Sequence, residues 1–281
     1  MTSVNMQQVP KVADVMRCFQ PEAGWGLIDT DIASLEPRVV AYFSRDPGHL
    51  ELYASGVLHD VYLYVAMALW PDQRDAIAAV YYRPDGTTTP ESIAAAKLRF
   101  KRERGIAKEL HLAAGYGASA QRMYASMRVK GVRVTLEEVQ VMRRRYWELF
   151  AGVRRWERQL LAEREDRGGW IYNGRGRPLC VTEDKVKDIV NTFAQSTGHD
   201  CLLTLVWHIQ RLRRERGLTE HLRPWIVDLH DQSTWAVRAG HEAAARRVFE
   251  DAYAALNAEL ACDVPLTGGI DLGASMWDFK G

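Results

Sequence analysis

Cysteine is scarce and scattered. The four cysteines of this 281-residue chain, Cys18, Cys180, Cys201 and Cys262, lie far apart, with no CxxC pair and no Cys/His spacing suited to zinc. That argues against a disulfide framework or a zinc module and for a reducing compartment. The amino terminus, MTSVNMQQVPKV, lacks the apolar core of a secretory signal, and no apolar run approaches a membrane span. A cytoplasmic protein with no membrane partner is therefore expected. Internal repeats and low-complexity tracts are missing as well. What remains, 47% hydrophobic and 26% charged residues, suits a globular protein of one large or two smaller domains.

Net charge is nearly absent too, at +1, but this near-neutrality hides an asymmetry. Residues 97–177 hold 20 Lys/Arg against 9 Asp/Glu, a net of +11, so the rest of the chain carries −10. One Arg-rich helix is as often a solvated face as a binding surface. Here the basic excess spans several expected helices and is interleaved with Tyr116, Tyr124, Tyr146, Trp147, Trp156 and Trp170. That pattern favours a polyanionic partner, a nucleic acid or nucleotide phosphates.

Along the chain, GWGLIDTDIASLEPRVVAYFS (24–44) reads as a short apolar strand running into a helix, with Pro37 tolerable in the first turn. HDVYLYVAMALW (59–70) reads as helical, RPDGTTTPES (83–92) as a loop, and 91–114 as helix-rich. Thr135 and Glu138 form a capping-box signal for a helix through Phe150, and another helix is expected from about 152 to 167. GGWIYNGRGRPLCV (168–181) reads as β-turn-β. A long helix is expected over 184–216, then a hairpin around PWIVDLHDQSTWAV (224–237), an amphipathic helix over 239–260 and a final strand in VPLTGGIDLG. The order strand, helices, strands predicts an α+β fold with a helical lobe inserted into a sheet-based one.

Two carboxylates stand out. Asp231 sits at the polar centre of the hairpin and Asp31 at the end of the first apolar strand. Carboxylates on adjacent antiparallel strands can hold two divalent cations roughly 3.5–4 Å apart. Buried aspartates also cap turns and bond backbone amides, so the pair alone leaves both readings open. Asp29, two residues earlier on the same strand face, is a rival. In RGIAKELHLAAGYG (104–117), Arg104, Lys108, His111 and Leu112 fall along one side of a helix, with Tyr116 at its end beside Gly117. Cations on one side and metal-binding carboxylates on the other are what a nucleoside triphosphate requires.

At this point the sequence resembles the palm and fingers of the family A, DNA polymerase I-like DNA polymerases. DIASLEPR (31–38) is similar to that family's motif A, D-Y-S-Q-I-E-L-R. RGIAKELHLAAGYG matches motif B, R-x3-K-x7-Y-G, and LHDQ (229–232) resembles motif C, V-H-D-E. MQQVPK (6–11), PEAGW (21–25), NTFAQSTGHD (191–200) and VPLTGGIDLGASMWDFK add weaker matches in the same order. The resemblance implies an antiparallel palm sheet with helices and an inserted helical fingers subdomain, a polymerase right hand lacking its thumb. It places a first palm segment in 1–58, fingers in 59–190 and a second palm segment in 191–281.

It further implies a template-directed DNA polymerase acting on primer-template DNA and dNTPs, with two Mg²⁺ ions held by Asp31, Asp231 and the Ile32 carbonyl. Arg104, Lys108 and His111 would contact phosphates, with Lys108 placed to protonate the leaving group. Leu112 would lie against the incoming sugar, and Tyr116 would stack near the templating base. Glu36 would exclude a 2′-hydroxyl, with Arg38 supporting it. His230 would touch the primer terminus, and Asn191 and Gln195 the minor groove.

Several positions depart from the family pattern. Gln232 replaces the motif C Glu, Leu112 an aromatic residue, and Ile32 the motif A Tyr. The stretch from His59 to Arg104 is longer than usual, and His59 itself reads as a satisfied core histidine. No thumb, T-G-R-L-S-S-type stretch or proofreading motif is found. One subunit of a split polymerase, phage- or mobile-element-encoded in a bacterial cell, is therefore expected. A separate polypeptide would supply thumb, early palm and any exonuclease. The alternatives are a polymerase-derived nucleic-acid-binding or scaffolding protein, or an enzyme using an RNA template.

Overall fold

The structure, a computed structural model, describes residues 12–115, 117–229 and 232–279, with backbone alone for 225–229. A short helix α1 (Ala13–Met16) precedes strand β1 (Trp25–Ile32). Helices α2 (Leu35–Ser44), α3 (Pro47–Ala54), α4 (Val61–Leu69), α5 (Arg74–Tyr81) and α6 (Pro90–Arg99) follow. Next come α7 (Lys101–Gly115), α8 (Ala120–Val129), α9 (Leu136–Leu149) and α10 (Ala151–Asp166). A ribbon of β2 (Trp170–Tyr172) and β3 (Pro178–Cys180) leads to α11 (Ile189–Glu215). The chain continues through β4 (Leu222–Leu229), β5 (Gln232–Arg238), α12 (Glu242–Leu260) and β6 (Gly268–Gly273). The expected α+β class is what the structure has. Among the described residues no helix is long and apolar enough to cross a membrane.

The chain divides into two compact units, one of Met1–Leu35 with Thr197–Gly281, the other of Glu36–Ser196. The first is built on an antiparallel sheet in the order β4-β5-β1-β6, so the first strand is closed in by segments more than 200 residues later. Leu27 and Ile28 are fully buried in it. Helix α12 packs on β1, β5 and β6 with an apolar stripe of Ala245, Val248, Phe249, Ala252, Tyr253 and Leu256, recurring at three- and four-residue intervals. Phe249 meets the buried Trp235 edge-on at 6.1 Å, and the Tyr253 hydroxyl lies 2.7 Å from Thr30 Oγ1.

The second unit is helical. Its α4 is apolar on nearly every side, burying Leu63, Val65, Ala66, Met67 and Leu69 against α5, α7 and α9, as a central helix must. Side-chain caps mark the helix starts: Asp46 for α3, Asp60 for α4, Thr89 for α6, Ser119 for α8 and Thr135 for α9. The capping box read from Thr135 and Glu138 forms, with Glu138 Oε2 accepting the Thr135 amide at 2.7 Å. The long helix expected from 184 starts later. Glu183–Asp188 winds as a 3-10 segment, and the α-helix begins at Ile189.

Candidate active site

Strand β1 aligns its acidic residues by ladder register. Asp31 pairs across the sheet with Gln232 on one side and Gly269 on the other; Asp29 pairs with Thr234 and Asp271. The two-residue period puts Asp29, Asp31, Gln232, Thr234 and Asp271 on one face. Asp31 is exposed, whereas Asp29 is only 3% exposed and accepts hydrogen bonds from Gln232 Nε2 at 2.9 Å and from Thr234 Oγ1. Burial pushes the Asp29 carboxyl up to about 6, helped by the charges of Asp31 and Asp271 and opposed by its two hydrogen bonds. The side chain of Ile32 is fully buried. The donors on this face are hard oxygens in a negatively charged surrounding, the chemistry Mg²⁺ prefers. Among the described residues no three acidic, His or Cys side chains converge on one metal position. His230, Asp231 and Tyr116 lie outside the described residues.

In the helical unit, α7 carries the expected basic face. Arg104 lies 5.1 Å and Lys108 Nζ 5.7 Å from the centre of the Tyr62 ring, so one aromatic ring contacts both cations. Arg104 is also held by Asp60: Nε reaches both carboxylate oxygens at 3.1 Å and Nη2 reaches Oδ2 at 2.9 Å. Lys97 Nζ joins the same carboxylate at 3.2 Å. These cations hold Asp60 below the usual carboxylate range despite its burial.

A cleft of about 260 Å³ in this unit gathers Glu36, His111, Leu112 and Asn191, with Arg143 and Trp147 on its wall. His111 Nδ1 is 3.2 Å from the Tyr146 hydroxyl, and its ring meets those of Tyr62, Tyr146 and Phe150. Desolvation there, with His49 nearby, lowers its pKa to about 4, so it is a neutral imidazole at pH 7. Gln195 is exposed on α11 one turn beyond Asn191 and does not line the cleft. Arg38 donates from Nη1 to the Tyr53 carbonyl at 3.0 Å. At the end of α7, Gly117 has φ +63, and a Cβ there would stand 2.6 Å from the Lys187 carbonyl oxygen, so the Tyr-Gly pair of the motif needs its glycine.

Arg104 and Lys108 stand over Tyr62, while His111 and Leu112, on the same helix, face the cleft. Asp60 and Tyr62 escaped the sequence reading, although an Asp directly before the apolar run VYLYVAMAL is an N-cap signal. The expectation for His59 does not hold in full. It is half-buried beside Tyr64, Tyr81 and Tyr82, with Nδ1 3.3 Å from the Tyr81 hydroxyl, but its Nε2 is buried without a hydrogen-bond partner among the described residues.

No family model matches the chain. DNA polymerase I of Aquifex aeolicus is 25% identical over 229 residues, which cover 80% of this chain and 34% of that protein. The thermostable DNA polymerase I of Thermus caldophilus is 25% identical over 295 residues, 99% of this chain and 30% of its own. Over most of its length the chain is similar to proteins named DNA polymerase I. A DNA polymerase of Mycobacterium phage D29 is 24% identical over 78% of the chain. Among solved structures, the POL domain of Pol1 from M. smegmatis, in complex with DNA primer-template and dNTP, superposes with a TM-score of 0.75 at 20% identity, covering 99% of this chain and 45% of that one. The chain thus has the fold of a polymerase domain and spans about a third of the length of these curated relatives.

Proposed function

We propose that this chain is the catalytic part of a template-directed DNA polymerase, transferring nucleotides from dNTPs to a primer 3′-hydroxyl. The observation that carries the proposal is the register of the sheet: Asp31 of motif A faces Gln232, the residue that follows Asp231 in motif C. Two motifs 200 residues apart in sequence are neighbours in the ladder. The oxygen donors and negative charge of that face fit Mg²⁺, with Asp31, Asp231 and the Ile32 carbonyl as the proposed ligands. When bound, two such ions lower the pKa of the attacking hydroxyl and neutralise charge on the departing pyrophosphate.

The protein's own groups do the rest. Arg104 and Lys108 grip the β- and γ-phosphates, and Lys108 hands a proton to the leaving oxygen. His111, neutral in its aromatic surroundings, adds a hydrogen bond without charge. Leu112 contacts the sugar, and Glu36, which lines the same cleft, takes the space a 2′-hydroxyl needs. Arg38 supports that corner, and Tyr116 stacks near the templating base. His230, Asn191 and Gln195 contact the duplex, the last two at minor-groove acceptors common to all correct base pairs.

Primer extension by the purified chain on a primed DNA template with Mg²⁺ and dNTPs, beside Asp31→Ala and Asp231→Ala, tests this reading. Extension that both substitutions abolish supports it. Duplex binding without extension, under every condition, would assign the chain to nucleic-acid binding or scaffolding. Extension that starts only when a thumb-bearing polypeptide is added would establish the split form.

A further inference from the structure

Nothing in motif B explains why its first cation, Arg104, is tied to a buried carboxylate. Asp60 is the N-cap of α4, its Oδ1 accepting the Leu63 amide at 2.9 Å, and its own amide donates to the Tyr81 hydroxyl at 2.6 Å. A cap needs only one uncharged oxygen, and Ser, Thr or Asn supplies it. Asp60 goes further: both of its oxygens engage the guanidinium of Arg104, and Lys97 lies against Oδ2. A buried ion pair of this kind adds little net stability, because desolvation offsets the attraction. What it does provide is a fixed direction.

We propose that Asp60 is a positioning residue for nucleotide binding, holding Arg104 by one edge so that its opposite edge is presented to a triphosphate. This rests on the reading of Arg104 as a phosphate ligand. The guanidinium has five N–H donors in a rigid plane. Nε and Nη2 face Asp60, while Nη1 carries no hydrogen bond among the described residues, and the side chain is 26% exposed. The Tyr62 ring lies against both cations, 5.1 Å from Arg104 Cζ and 5.7 Å from Lys108 Nζ. The carboxylate does not cancel the local charge: Arg104, Lys97 and Lys108 against Asp60 leave a net positive cluster. A guanidinium free to rotate binds a phosphate with the same charge but loses the pre-set geometry, which raises the dissociation constant more than it slows the chemistry.

The experiment compares wild type, Asp60→Asn, Asp60→Ser and Arg104→Ala in three measurements on the purified chain. These are equilibrium binding of dATP with Mg²⁺, the KM and kcat of primer extension where extension is present, and thermal unfolding. Both Asp60 substitutions keep a cap for α4, so folding survives in at least one of them. The expected result is a dissociation constant for dATP about tenfold higher in the Asp60 variants, with kcat nearly unchanged and Tm close to wild type. Weakened binding in Arg104→Ala together with unchanged binding in both Asp60 variants would overturn the positioning role and leave the phosphate reading intact. Unchanged binding in Arg104→Ala would overturn the phosphate reading itself, and this inference with it. A fall in Tm that alone accounts for the binding loss in both variants would reduce Asp60 to its cap.

Discussion

The amide of Gln232 donates a 2.9 Å hydrogen bond to the buried carboxylate of Asp29, across the ladder between β5 and β1. The residue that replaces the acidic end of motif C is therefore a donor to the acid behind the proposed metal ligand. A glutamate at 232 would set a third negative charge beside Asp29 and Asp31. Glutamine instead supplies the N–H that an acceptor-only carboxylate needs.

Asp29 makes stability depend on pH in an unusual direction. Its folded pKa, about 6, lies above the 3.8 of a solvent-exposed aspartate, so the folded state binds the proton more tightly. Its contribution is fully present below about pH 4 and is lost as pH rises through about 6. At pH 8, in the presence of a chelator, Asp29→Asn is expected to be more stable than wild type by up to about 3 kcal/mol, the gap closing toward pH 4. The asparagine can be accommodated, since the Gln232 amide can turn its oxygen toward it and Thr234 can accept as well as donate. Gln232→Glu is expected to shift stability the opposite way at pH 8. Urea titrations at both pH values measure each difference, and a pH-independent gap would rule out the assignment.

His111 has the opposite sign. Its folded pKa, about 4, lies below the 6.5 of an exposed imidazole, so acid favours the unfolded chain. Stability from this residue is present above about pH 6.5 and lost as pH falls toward 4, by roughly 3 kcal/mol. His111→Gln keeps an oxygen for the Tyr146 hydroxyl and removes the titration. Its Tm is expected to fall less steeply than wild type between pH 7 and 4.5. Parallel curves would show that His111 does not titrate as described.

Much of the frame was legible because its signals are local. The Thr135–Glu138 box fixes the start of α9 within four residues, and the apolar stripe of α12 states its buried face. The onset of α11 was not legible, since EDKVKD has a composition that a 3-10 segment and an α-helix accept equally. Around the candidate site, local motifs stand out in the sequence, but relationships between distant residues do not. Asp60 gains its second role from Arg104, 44 residues later, and Asp29 from Gln232, 203 residues later. Those depend on packing and register, which no local pattern states. Gln232 therefore read as a lost acid when its structural role is that of a donor.

Gly152 offers a test of packing in the helical unit. Its amide donates to Asp46 Oδ2 at 2.7 Å, and a Cβ at 152 would stand 2.7 Å from both Asp46 Cα and Oδ2. Asp46 is fully buried, caps α3 through the His49 amide at 3.0 Å and cannot swing aside. Gly152→Ala is expected to cost about 3 kcal/mol through overpacking and a weakened buried hydrogen bond. A loss below about 1 kcal/mol in urea unfolding would mean that α3 and α10 yield more readily than this geometry allows.

Selection of the sugar gives the sharpest functional prediction. Glu36 lines the same cleft as Leu112 and Asn191, at the start of α2. If the nucleotide sugar enters that cleft, the carboxylate takes the space and the hydrogen-bonding position of a 2′-hydroxyl, and a ribonucleotide must displace it. A shape-based exclusion of one hydroxyl is worth on the order of a hundredfold in kcat/KM. Glu36→Ala is expected to raise the ratio of ribonucleotide to deoxynucleotide incorporation by about that factor, mainly by improving the ribonucleotide. Asn191→Ala, altering the cleft away from the sugar, is expected to weaken duplex-dependent extension for both substrates alike. Equal selectivity in wild type and Glu36→Ala, with extension retained, would remove Glu36 from the sugar site and place the nucleotide elsewhere than this cleft.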